Sequence, residues 1–240
     1  MTKVDAIERV MTDNGGSASL QIIYDNIEKY YVNIKHSKDW KEGVRGVLYR
    51  ELAHGTRFKK VGLSIYALSG YQEEHIEAMP KVRVHSIMEG LCLELGNTKH
   101  YDTFTADPSA IYKDNTCLGN IATLSDIPNF SYAQIVRQAR LIDVLWFNKS
   151  DLAFPQFAFE VVDSIGTLNG ALNRCFQLYH FRTRFNIIAP EKYQCKFSQT
   201  LNLEIYKPHK ERFRFFSYDE IIESYKIALD NERMESKLFG

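Results

Sequence analysis

The chain has few of the residues that make or brace irregular structure. Six prolines and thirteen glycines in 240 residues exclude collagen-like and Pro/Gly-rich low-complexity sequences. Its four cysteines, Cys92, Cys117, Cys175 and Cys195, form no CxxC pair, and no histidine stands beside them at zinc-ligand spacing. No zinc site is therefore expected, and buried reduced thiols are the simpler reading. No apolar run approaches the roughly 18 residues that mark a membrane span. Residues 1–10 are charged throughout and lack the apolar stretch of a secretory signal, so a cytoplasmic protein without a membrane partner is expected. Neither sign of charge is in surplus: 30 Lys and Arg balance 30 Asp and Glu, and the molecule as a whole is no polycation. Phosphate-binding glycine loops, a GxSxG elbow and an HExxH helix are all missing. That removes P-loop, serine-hydrolase and zincin chemistry.

What is present is a local excess. Between Lys29 and Lys60 nine basic residues face three acids, a stretch suited to a polyanion. Residues 3–12 place Val4, Ile7, Val10 and Met11 at helical spacing, and Asn14, Gly15 and Gly16 end that helix. Ser17 or Ser19 caps a second helix over 19–31, and a third runs over 38–53 with Trp40, Val44, Val47, Leu48 and Leu52 inward. Residues 57–62 and 63–68 read as a β-hairpin. Three helices followed by a hairpin is the order of a winged helix-turn-helix, whose third helix enters the major groove. Lys41, Arg45 and Arg50 on the third helix and Arg57, Lys59 and Lys60 on the wing are the expected contacts to double-stranded DNA.

Residues 1–70 are thus expected to form one domain, 71–82 a polar linker containing Pro80, and 83–240 a second domain. There the pattern predicts a helix over 84–95, an irregular stretch over 97–129, strands over 141–147 and 156–162, and a long helix over 164–184. A buried strand over 186–190 and helices near 191–200 and 218–237 follow. The order is that of an α/β (α+β) core: a mixed sheet flanked by helices. Two strands each carry an acid in an apolar run, Asp143 in LIDVLWF and Glu160 in FAFEVV. Lone buried acids are costly unless paired or metal-bound. Two of them converging through a hairpin make a hard oxygen site for Mg²⁺.

The segment RLIDVLWFN…FAFEVVDSIGTLNGALNRCFQLYHFRTRFNIIAP resembles the core of the PD-(D/E)XK restriction-endonuclease-like nucleases. The resemblance implies a metal site on Asp143 and Glu160, with Glu89 as a third acid on the preceding helix, and a homodimer that cuts both DNA strands. DAIERVM, IYDNIEKYY, WKEGVRGVLYREL and RFKKVGLSIYAL resemble the HARE-HTH winged-helix module. The family lysine falls on Val162, which binds neither proton nor metal; Asp163, Arg174 or Gln177 stand near enough in sequence to replace it. Two expectations follow: a Mg²⁺-dependent restriction-type endonuclease, or a non-catalytic DNA-binding protein or defence-complex subunit built on a degenerate nuclease core.

Overall fold

The structure, a computed structural model, describes residues 1–63, 65–72, 81–113 and 116–239 (at 81–83, 233 and 235–239 the backbone alone). Residues 73–80, most of the expected linker, lie outside the described residues. The chain divides into two compact units: Met1–Met79 with Lys113–Thr116 and Lys226–Gly240, and Pro80–Tyr112 with Cys117–Tyr225.

In the first unit, α1 (Lys3–Asp13) starts at a capping box in which Thr2 and Asp5 satisfy each other's backbone N–H groups. It ends at Gly15 and Gly16, whose φ of 80° and 99° only glycine adopts freely. β1 (Ser17–Ser19) follows, and the Ser19 hydroxyl caps α2 (Leu20–Asn26) by accepting from Ile22 N at 3.2 Å. The sequence runs α2 on to residue 31, but residues 27–29 tighten into a 3-10 turn. After α3 (Trp40–His54), stopped by Gly55 at φ 65°, come β2 (Phe58–Lys60) and β3 (Ile65–Leu68). The antiparallel sheet has the order β1-β3-β2. Ser-Ala-Ser has little strand propensity of its own; pairing with β3 imposes extended backbone on it. Ile7, Met11, Ile23, Ile27, Leu48 and Phe58 close the core beneath.

The second unit opens with α4 (Lys81–Thr98), followed by β4 (Asp102–Thr105) and a two-stranded ribbon of β5 (Ile111–Lys113) and β6 (Thr116–Cys117). Strands therefore occupy part of the stretch read as irregular. Then come α5 (Ala133–Ala139), β7 (Val144–Phe147), β8 (Pro155–Val161), α6 (Leu168–Phe176) and β9 (Arg184–Ile188). α7 (Gln194–Thr200), β10 (Phe213–Phe216) and α8 (Tyr218–Phe239), whose residues from Lys226 onward belong to the first unit, complete the chain. The five-stranded sheet has the order β10-β9-β8-β7-β4. β4, β7 and β8 are antiparallel neighbours, while β8, β9 and β10 run parallel. This is the mixed sheet flanked by helices that the sequence predicts. α6 crosses between β8 and β9 and packs on both, and α4 packs on β4, β7 and β8. Leu145, Phe147, Ala158, Val162, Leu172, Cys175, Phe185 and Ile187 share one apolar cluster.

Candidate active site

Pairing of β7 with β8 sets Val144 opposite Phe159, so Asp143, just before β7, lies beside Glu160. Asp143 Oδ2 accepts the Val161 N–H at 2.8 Å, which fixes its carboxylate across the two strands. Glu160 has no solvent exposure. Both its oxygens are taken by the guanidinium of Arg174 on α6, Nε to Oε1 at 2.7 Å and Nη2 to Oε2. This is the planar fork that only arginine offers a carboxylate.

α4 adds two groups. Glu89, 3% exposed, and His85 one turn earlier bring their side chains to Asp143. His85 Nε2 lies 3.8 Å from Glu89 Oε1 and 3.6 Å from Asp143 Oδ2. One ligand atom from each of His85, Glu89 and Asp143 falls within 4.8 Å of the other two. On its other edge His85 Nδ1 meets Asp163 Oδ2 at 2.8 Å. The Tyr218 hydroxyl donates to Asp163 Oδ1 at 2.6 Å, and the Tyr193 hydroxyl to Asp163 O at 3.3 Å.

Burial and mutual repulsion make these acids hard to ionise. Glu89 is pushed up to about 9, first by burial and then by the charges of Asp143, Asp107, Glu160 and Asp163. Glu160 rises to about 8, again chiefly by burial, with the Arg174 hydrogen bonds pulling the other way. Asp143 is raised by burial against the Val161 N–H, His85 and Arg174. Several buried acids that resist losing their protons together form a site able to hold a cation.

The residues singled out in the sequence have different fates. Asp143, Glu160, Glu89 and Arg174 come together. Gln177 does not: it is exposed and donates to Asn173 O at 3.2 Å. Val162, where the sequence resemblance leads one to expect a lysine, is buried in the apolar cluster. Asp163 turns away from that cluster to His85. His85 carried no distinguishing signal, because its partners Asp143 and Asp163 are 58 and 78 residues away.

The basic residues of the first unit divide too. Arg57 is paired with Asp5 at 3.0 Å and Glu8 at 3.2 Å, and Lys60 with Glu232, its side chain 10% exposed. Lys59 lies 6.0 Å from the Tyr71 ring. Lys41, Arg45 and Arg50 are exposed on α3 and make no ion pair among the described residues; Lys41 sits over the Tyr24 ring at 5.2 Å. No described helix is long and apolar enough to cross a membrane.

Comparison with curated proteins and with solved structures finds no match. Residues 68–237, more than half of the chain, match the family model of the C-terminal domain of the type II restriction enzyme NmeDI. The chain belongs to this family of type II restriction enzyme domains.

Proposed function

We propose that the chain is a metal-dependent, restriction-type endonuclease of duplex DNA, active at the cluster around Asp143. One observation carries the reading: Glu89 is almost fully buried, faces Asp143 and His85, and makes no hydrogen bond among the described residues. A buried carboxylate in that state needs a proton or a cation, so the donors fit a divalent ion. Asp143 and Glu89 would hold it, and Glu160 would join only if the Arg174 fork opened. Such an ion, Mg²⁺ by family resemblance, polarises water and offsets the charge that builds on a phosphodiester under attack. Arg174, presented by α6, keeps the Glu160 carboxylate in place near the end of β8.

Element order supports the finer family readings. The run α4, β4, β7, β8, α6, β9 fits a PD-(D/E)XK core within residues 83–240. The run α1, β1, α2, α3, β2, β3 with sheet order β1-β3-β2 fits a HARE-HTH-type winged helix in residues 1–70. That module would bind DNA through Lys41, Arg45 and Arg50, acting in the cytoplasm, and cutting both strands calls for a homodimer.

The test is plasmid cleavage with Mg²⁺ or Mn²⁺, on methylated and unmethylated DNA, comparing the wild type with Asp143→Ala and Glu160→Ala. Metal-dependent cutting lost in both variants is the expected result. A chain that binds DNA and cuts none of these substrates would instead be a non-catalytic DNA-binding protein. That second reading has its own support in Val162, an apolar residue buried where the family places its lysine.

A further inference from the structure

His85 and Glu89 stand at i and i+4 on α4, the spacing that sets two side chains on one helix face. Asp143 reaches the same point from the start of β7. Two carboxylates and the Nε2 edge of an imidazole therefore converge within 4.8 Å. Glu89 and Asp143 accept hydrogen bonds and cannot donate them once ionised. Nothing among the described residues donates to Glu89.

The imidazole is aimed. Asp163 Oδ2 lies 2.8 Å from Nδ1, which places the ring hydrogen of a neutral histidine on that side and leaves the Nε2 lone pair facing Glu89 and Asp143. Asp163 is itself held by the Tyr218 hydroxyl at 2.6 Å. A carboxylate on one ring nitrogen, fixing the tautomer and the orientation of the other, is how proteins prepare a histidine to bind a metal. Glu160 is engaged elsewhere, since both its oxygens already accept from Arg174.

We propose that His85, Glu89 and Asp143 are the protein ligands of the cation, and that this set takes a first-row transition ion such as Mn²⁺ in preference to Mg²⁺. Magnesium demands oxygen donors and gives up water reluctantly, whereas transition ions accept imidazole alongside carboxylate. Asp163 is the positioning residue for His85, and Glu160 stays with Arg174 outside the coordination sphere. The inference rests on the metal-dependent reading above but names a ligand set and a metal class which that reading does not require.

The test is Mn²⁺ binding to the full chain, followed by calorimetry with Mg²⁺ as competitor and by pulsed electron paramagnetic resonance of the bound ion. The wild type should bind Mn²⁺ at least tenfold more tightly than Mg²⁺ and show ¹⁴N coupling from one imidazole. His85→Gln, chosen to keep the size and polarity of the side chain, should abolish the coupling. Asp163→Asn should weaken binding about tenfold, and Glu160→Gln should leave the coupling in place. Bound Mn²⁺ without ¹⁴N coupling in the wild type, a readout that needs no variant to fold, overturns the proposal. So does the absence of Mn²⁺ binding. Mg²⁺-supported DNA cleavage that survives His85→Gln overturns the proposal and leaves the endonuclease reading standing. Nitrogen-coordinated Mn²⁺ in a chain that cuts no DNA does the reverse.

Discussion

Glu160 and Arg174 are the pair on which the local electrostatics turn. A carboxylate without solvent exposure is held by a guanidinium whose side chain is 35% exposed. Removing the cation strands the acid. Arg174→Met should therefore cost roughly 2–3 kcal/mol of stability by urea denaturation, discounted from the ~3–5 kcal/mol of a fully buried pair because solvent reaches the arginine. Glu160→Leu in the same chain should recover most of the loss, and a double variant no more stable than Arg174→Met would refute this account. Glu89 gives the pH dependence. A carboxyl with a raised folded pKa binds its proton more tightly in the folded chain, so stability falls as pH rises from the ordinary 4.5 to the folded value and levels off beyond it. The window ends at about 9 for Glu89 and about 8 for Glu160. Stripped of divalent ions, the protein should lose melting temperature steadily across that range, and Glu89→Gln should flatten the slope and melt above the wild type at its alkaline end. An unchanged slope in Glu89→Gln would place the pH dependence elsewhere. Asp143 and Glu160 were legible in the sequence because an acid inside an apolar strand must have a reason to be there. His85 was not, because what distinguishes it is a 2.8 Å contact across 78 residues; Asp163 was read as a replacement for the family lysine, and its pairing with a histidine breaks no local pattern.

At the scale of elements, α4 is held close to its neighbours by two glycines. A methyl group on Gly90 would lie 2.2 Å from the Tyr112 ring, and one on Gly96 would lie 2.6 Å from Trp146 Nε1. Trp146 also donates to Cys92 O at 3.1 Å, so Gly96→Ala pushes a core indole off its acceptor. Each alanine should destabilise the protein by about 1–3 kcal/mol, the usual cost of overpacking, although alanine is the better helix former. Because α4 carries His85 and Glu89, Gly90→Ala should also weaken Mn²⁺ binding. A stabilising Gly96→Ala would show that the helix yields without cost. The periodicity of α4 is plain in the sequence; the need for these glycines is not, since it depends on side chains of other elements. α6 shows the same limit. The apolar pattern extends to residue 184, yet the helix stops at Phe176. Arg212 donates to the carbonyls of Leu178, Tyr179, Phe181 and Thr183 and stacks 4.5 Å over the Phe185 ring. These bonds hold the chain in a non-helical path that local propensity alone would not choose.

For the molecule as a whole, net charge is zero, so attraction to DNA must come from a patch rather than from the whole surface. The sequence reads nine basic residues between 29 and 60 as one such patch, but the structure divides them. Arg57 and Lys60 already face acids, and Lys35 is 3.3 Å from Glu28. A cation neutralised by its own protein releases fewer DNA counterions when it meets a phosphate, because its acid partner must be displaced first. Lys41, Arg45 and Arg50, exposed on α3 and outside any ion pair among the described residues, carry no such handicap. Each phosphate neutralised adds about 0.9 to the slope of log affinity against log salt. Replacing Lys41, Arg45 and Arg50 by alanine should therefore reduce that slope for duplex DNA by about 2–3, measured by fluorescence anisotropy over a salt series, and weaken binding to all sequences alike if the contacts are to phosphate. Arg57→Ala with Lys60→Ala should reduce it by less than about 1. If both sets lowered the slope equally, the ion pairs of Arg57 and Lys60 would have to open on DNA, and the hairpin would share the contact with α3. If neither set changed it, the first unit would not be what holds DNA.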